Sequence, residues 1–377
     1  MGSTANDFVG RIGRALQDAS RQGIDITAGA GDLEFQQLAR RNLEEEPQPG
    51  RPRHLESPPG PRDPGSPDGS SRLCYFLDGV QSSREIGRIG VVPVVVATVA
   101  AAVVNRCDRR LRRMDLEGPP DMVRAVILPR GIDDAKVEAF WRLLLEAGLE
   151  ELGPEDLSSA ELVLDSTEYA SAVDPGDYVG MRERAFGRVR TLRERLETEL
   201  LRRWEGDDRV LENEDDWIAV DGQLLWAGSS TLRAIGLIKS VSRPEFVGGD
   251  VGMLLDLEPG MRTTSFVPGW QTGRATTDQR TSWYVRVWPP QQGADALGSL
   301  MRIEAPRDTS PEQINEITRW ILAERAPLAK PDPRWPAMIY PIHYVEKILK
   351  PSLQGSERAY ARLERQVAGA SPANGRS

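Results

Sequence analysis

The chain has 377 residues, 39% of them hydrophobic, and a formal net charge of −9. That length allows one large domain or two modest ones, and the apolar content suffices for a sizeable core. The acidic balance excludes a general cationic coat for nucleic acid but leaves room for a local basic groove. With only two histidines, His54 and His343, and two cysteines, Cys74 and Cys107, a His/Cys zinc site and a disulfide framework are both excluded. Any metal is expected to be a hard cation on carboxylate oxygens. Asp7, Arg11 and Arg14 interrupt any signal-peptide core. The most apolar stretch, 91–104, is too short to span a bilayer and contains Pro93. The expected location is cytoplasmic, without membrane contact.

Phe8, Ile12 and Leu16, then Leu33, Phe35, Leu38 and Leu43, predict two short amphipathic helices before residue 46. Residues 47–71 are dense in proline, glycine, serine and charge, the composition of a disordered, solvated linker. The expected organisation is an N-terminal helical appendage at 1–46, a linker at 47–71, the main domain at 72–366 and a flexible tail at 367–377.

Within the domain, 73–77 predicts a strand, 85–88 a turn, 91–99 a second buried strand and 100–111 a helix. Residues 123–128 form a third apolar run. Val137, Phe140, Trp141, Leu144 and Leu145 mark a helix over 133–147, capped by Asp133 or Asp134, and 161–166 is a further strand. A long helix over 179–204 buries Phe186, Val189, Leu192, Leu196 and Leu200, with arginines crowding the remainder. A charged connector, 205–216, leads to strands at 217–221 and 234–240. A short apolar insertion falls at 251–257. Residues 282–288 and 300–305 alternate as exposed-edge strands. Ser310 caps a helix over 311–324, and 340–349 is a last core helix. This mixture implies one α/β or α+β domain around a central sheet.

Two stretches carry the functional reading: Leu73-Cys-Tyr-Phe-Leu-Asp-Gly-Val80 and Trp217-Ile-Ala-Val-Asp-Gly-Gln-Leu-Leu-Trp226. Each is an apolar run closed by Asp-Gly, which reads as a buried strand delivering a carboxylate at its end. The glycine lets the backbone turn and leaves space beside the acid. One Asp-Gly is an ordinary turn signal; two suggest a shared site. Asp78 and Asp221 are therefore expected to meet across a sheet and hold a divalent metal. Clustered carboxylates repel one another unless a cation neutralises them. Mg²⁺ or Mn²⁺ would do so, and would position water and stabilise the leaving oxygen of a phosphodiester.

A third acid is expected from the long helix, which offers Glu183, Glu194, Glu197 and Glu199. Glu194 lies about 160° from Leu196 and points to solvent, whereas Glu197 lies about 100° from it, at the edge of the buried stripe. Glu197 is favoured, with Glu199 and Glu194 behind it. A salt-bridged surface face would account for the same glutamates.

Five segments in order, YFLDGVQSSREIG, LRERLETELLRRW, WIAVDGQLLWAG, IGLIKS and YPIHYVEKILK, make residues 72–352 resemble the NurA nuclease family. The resemblance implies an RNase H-like core, Mn²⁺- or Mg²⁺-dependent cleavage of DNA, a homodimer and a HerA-type hexameric ATPase as partner. It implies Asp78, Glu197 and Asp221 as metal ligands, Lys239 as a group steadying phosphate or water, and Tyr340 as the C-terminal tyrosine. The family's histidine falls on Ile348, so His343 either replaces it or packs structurally. The lengthened connector leaves the choice of glutamate open. The alternative function is a catalytically silent dimeric scaffold or DNA clamp on the ATPase ring. RNA processing on the same core is a third reading, because carboxylate–metal chemistry does not select the sugar.

Overall fold

The computed structural model describes residues 4–28, 51–67, 71–108, 110–118, 121–152, 157, 159–168, 173–213, 215–225, 232–239, 241, 244–275, 278–290, 295–325 and 337–370. Helix α1 (Ala5–Arg21) opens on a capping box between Thr4 and Asp7. Short strands β1 (Ile26–Thr27), β2 (Arg53–His54) and β3 (Pro61–Arg62) precede two long ones, β4 (Leu73–Ile89) and β5 (Val92–Cys107). Next come β6 (Arg110–Arg113), β7 (Met122–Leu128), α2 (Ala135–Glu146), β8 (Glu150–Glu151) and β9 (Glu161–Asp165). The long helix α3 (Tyr178–Glu205) and α4 (Asp208–Leu211) lead into β10 (Trp217–Asp221) and β11 (Ala234–Ile238). Helix α5 (Gly249–Leu255) is followed by β12 (Arg262–Thr263), β13 (Phe266–Val267), β14 (Arg280–Arg286) and β15 (Leu300–Pro306). Helices α6 (Pro311–Glu324) and α7 (Tyr340–Ala370) close the order.

The fold is mixed α/β: one large sheet, ordered β2-β13-β14-β15-β11-β10-β4-β5-β7-β9-β8, with helices on both faces. β10 runs parallel to β4 and to β11, and β7 parallel to β9; β5 is antiparallel to β4 and β7. Alternate residues of the long strands serve opposite faces. Tyr75, Leu77, Val95, Ala97 and Val99 pack with Ala185, Val189, Leu192, Leu196 and Leu200 of α3. Phe76, Val80, Ala100 and Ala102 pack with Ile314 and Ile317 of α6 and with Ile342, Val345 and Leu349 of α7.

Several expectations are corrected. Residues 85–88 do not turn; β4 continues to Ile89, and the turn comes at Gly90, whose φ is 60°. Its polar residues stay in the strand because helices on both sides answer them. Arg84 pairs with Glu364 of α7, and Glu85 pairs with Arg182 of α3. Residues 100–107 belong to strand β5, not to a helix. The alanines there have strong helix propensity, but all three pair with β4 and are buried, so tertiary packing decides. β14 and β15 are interior strands, flanked by β13 and β11. Their alternation misleads because the polar positions are buried and paired: Arg302 binds Glu245, and Arg286 donates to the carbonyls of Leu254 and Leu257.

Within 51–67, expected to be linker, β2 and β3 extend the sheet by pairing with β13 and β12. Glu56 anchors this stretch through a 2.8 Å ion pair with Arg262. Helix α1 is built into the body rather than appended, because Phe8, Ile12, Ala15 and Ala19 share a core with Val94, Phe140 and Tyr360. The second N-terminal helix expected around 33–43 lies outside the described residues. At the other end α7 continues past 349, through Pro351 to residue 370, with Val367 buried. No helix among the described residues is long and apolar enough to cross a membrane.

Candidate functional site

The site follows from a step in the sheet. β10 stops at Asp221, where Gly222 at φ 97° turns the chain, whereas its parallel neighbour β4 runs on to Ile89. The register pairs Val220 with Leu77, so the next residues, Asp221 and Asp78, end up side by side. Beyond them β4 loses its partner on that edge, and a notch of about 600 Å³ opens between α3 and α7. Asp78, Gly79, Val80 and Gln81 line it from β4, Asp221 from β10 and Arg193 from α3. Glu346, Lys350 and Glu357 line it from α7.

Asp221 ends its strand as expected, but Asp78 does not. It lies within β4 opposite Ala102, is 3% exposed, and accepts a 2.8 Å hydrogen bond from the Gly79 amide. Gly79 therefore makes no turn. A Cβ there would stand 2.1 Å from Oε1 of Glu197, so its bare α-carbon is the space into which the glutamate fits. Glu197 is the acid that helical angle favoured, and it is buried. Its Oε1 accepts from Arg193 Nη1 at 3.1 Å, and the same nitrogen lies 3.5 Å from the Gly79 carbonyl. Asp221 Oδ2 accepts from Lys239 Nζ at 2.7 Å.

Charge is held here under strain. Burial, then the neighbouring Asp221 charge, pushes the Asp78 carboxyl well above the usual carboxylate range against the pull of Lys239; Glu197 and Glu346 push it further. Burial lifts Glu197 to about 7, opposed by Arg193 and assisted by Asp221 and Glu194. The Glu197 carboxyl therefore exchanges its proton nearer neutral pH than a free carboxyl does.

The remaining expected residues divide. Lys239 reaches the site through Asp221. Tyr340, 54% exposed at the first turn of α7, does not line the notch. Neither does His343, whose Nδ1 lies 3.7 Å from Glu346 Oε2. Glu194 faces a neighbouring cavity and pairs with Arg190, which corrects its expected solvent orientation. Glu199 pairs with Arg203. The arginine-rich face is partly internal: Arg182 and Arg188 are buried against Glu85 and Glu168.

Sequence reading missed Arg193, Gln81, Glu346 and Lys350. Two signals could have found all but Gln81. Arg193 stands four residues before Glu197, the spacing of a helical ion pair. Glu346 and Lys350, also i and i+4, run beside the buried stripe Val345, Leu349 and Leu353.

No protein-family model and no curated protein matches this chain.

The donor set in the notch is carboxylate oxygen, the kind that suits a hard cation. Gln81 Oε1, buried at the notch, has no hydrogen-bond partner among the described residues, another oxygen facing unmet demand. In the positions described, though, no group of three or more His, Cys, Asp or Glu side chains is arranged to hold a metal ion. Glu197 and Asp221 are engaged by Arg193 and Lys239 instead.

Proposed function

We propose that the chain is a metal-dependent nuclease that hydrolyses DNA phosphodiester bonds, built on an RNase H-like core of the NurA kind. The observation that carries this reading is the meeting of Asp78 and Asp221, from the first long strand and the later parallel strand, at one notch, with Glu197 of the long helix buried against Gly79 beside them. Strand order supports it too: β4, β5 and β7 form an antiparallel series, α3 crosses, and β10 and β11 return parallel to β4 on its other side.

Asp78, Asp221 and Glu197 would hold Mn²⁺ or Mg²⁺. When bound, the ion supplies charge neutralisation and a water acidified for attack on phosphorus. The chain's own residues do the rest. Without the ion, burial keeps protons on Asp78 and Glu197, and binding the ion would displace them. Lys239 orients Asp221, Arg193 holds Glu197, and Lys350 offers an ammonium to an anionic phosphate. A HerA-type hexameric ATPase as partner, a homodimer, and a role in DNA end processing or phage defence belong to the same proposal.

Purified protein is expected to degrade linear DNA with Mn²⁺ and to stop on chelation. Asp78→Asn and Asp221→Asn each lower the rate by about 10²–10⁴-fold. Unchanged cleavage in both variants removes the site, and competing RNA in the same assay reads the sugar preference.

A second reading is a catalytically silent scaffold or DNA clamp on the ATPase ring. It is favoured by the pairing of Glu197 with Arg193 and of Asp221 with Lys239. It expects association with the ATPase without cutting, alone or in complex.

A further inference from the structure

Beside the notch lies a second cavity, of about 510 Å³. The two share walls. On α3, Arg193 faces the notch while Arg190 and Glu194 face the second cavity; Asp221 at the end of β10 faces the first and Gln223 just after it the second. Trp270 also lines this second cavity. Its Nε1 donates to Glu245 at 3.2 Å, and Glu245, 1% exposed, is itself bound by Arg302. The indole edge is thereby pinned to a buried ion pair. Arg274 lies over the ring, 4.9 Å from its centroid. Leu225, 48% exposed, adds apolar surface to the same cavity.

A fixed indole with a guanidinium over its ring, and an exposed leucine in the same cavity, suit a flat heterocycle carrying an anionic tail. We propose that this cavity is a nucleobase subsite, receiving on Trp270 and Leu225 the base next to the bond positioned in the notch. The proposal rests on the nuclease reading and narrows its substrate. A base offers its face only when unstacked, so the strand entering here is single or frayed. The cavity's arginines (Arg190, Arg274, Arg280) are balanced by Glu194, Asp278 and Glu304. Stacking rather than phosphate attraction is then the dominant contribution.

The test is binding of the full chain, with Asp78→Asn blocking cleavage, to a fluorescein-labelled oligothymidylate of about 12 nucleotides, a length within the range of single-strand sites. A blunt duplex serves as the second probe, and urea midpoints confirm folding. Trp270→Ala is expected to weaken single-strand binding about 5- to 150-fold, as loss of one stacked base does. Trp270→Phe is expected to retain most of the affinity, the duplex to be unaffected, and the salt slope to be unchanged. Equal affinity of Trp270→Ala and its parent overturns the subsite while leaving metal-dependent cleavage by the wild-type chain intact. Equal losses in the Ala and Phe variants assign the effect to the Glu245 contact and overturn stacking. If the Asp78→Asn parent binds no DNA and the wild-type chain cuts none, the nuclease reading fails and the subsite with it.

Discussion

Residue 79 carries no side chain because a carboxylate from another element fills the place of its Cβ. That single vacancy lets Glu197 reach the strand bearing Asp78, and the resulting burial sets the titration behaviour. In the folded chain Glu197 is raised from 4.5 to about 7. A carboxyl with a raised folded pKa prefers its proton in the native state. Its favourable contribution is complete below the unfolded value and disappears as pH rises through the folded one. Asp78 is shifted in the same direction. Metal-free protein is therefore expected to have a higher urea midpoint at about pH 5 than at about pH 8, and Glu197→Gln to flatten that difference. An identical pH dependence in the variant would mean that Glu197 is not the group titrating. Conversely, cation binding at these carboxylates is expected to strengthen over the same interval, since the ion competes with the proton.

At the scale of elements, the site depends on how β10 ends. Gly222 turns away from the sheet, and the segment 222–224 passes directly over β11, where a Cβ on Gly236 would stand 2.7 Å from the Gly222 carbonyl oxygen and 2.8 Å from the Leu224 amide nitrogen. Backbone atoms cannot yield as a flexible side chain can. Gly236→Ala is thus expected to cost about 1–3 kcal/mol and to displace Asp221 from its contact with Lys239. Equilibrium urea unfolding reads the first effect, and Mn²⁺-dependent cleavage the second. An alanine variant as stable and active as the parent would show that the turn has room to move. Helix α7 adds Glu346 and Lys350 through ordinary helical spacing, so the notch is closed by the same helix whose apolar side fills the core.

Across the whole molecule, the N-terminal helix is part of the structure that supports the sheet. Phe8 is fully buried, edge-on to Tyr360 of α7 at 6.3 Å between ring centroids. Tyr360 in turn bonds to Thr98 and to the Ala97 carbonyl on β5. The first and last helices are therefore tied to a central strand through one ring pair. Phe8→Ala is expected to lower unfolding stability by about 3–5 kcal/mol, the cost of emptying a large aromatic site. A change below about 0.5 kcal/mol, the scale of surface substitutions, would return α1 to the status of an appendage.

Sequence alone determined the features governed by local periodicity. Helix α3 with its stripe, α6 behind Ser310, the strands at β7, β9, β10 and β11, and Glu197 at the stripe's edge all follow from spacing along one element. The Asp-Gly pairs drew attention to Asp78 and Asp221, although Gly79 provides only the space expected of it and not the turn. Tertiary structure decided what depends on neighbours distant in sequence. The alanines of β5 became strand because β4 paired with them and the core buried them, and the arginines of β14 and β15 became interior because buried glutamates and carbonyls received them. The 51–67 stretch joined the sheet because β12 and β13 offered partners. The notch itself, and with it the place of Arg193 and Glu346 beside Asp78, emerged only from the step between β10 and β4. Local propensity is worth tenths of a kcal/mol per residue, whereas pairing and burial across elements are worth several, so the larger effect decides wherever the two conflict.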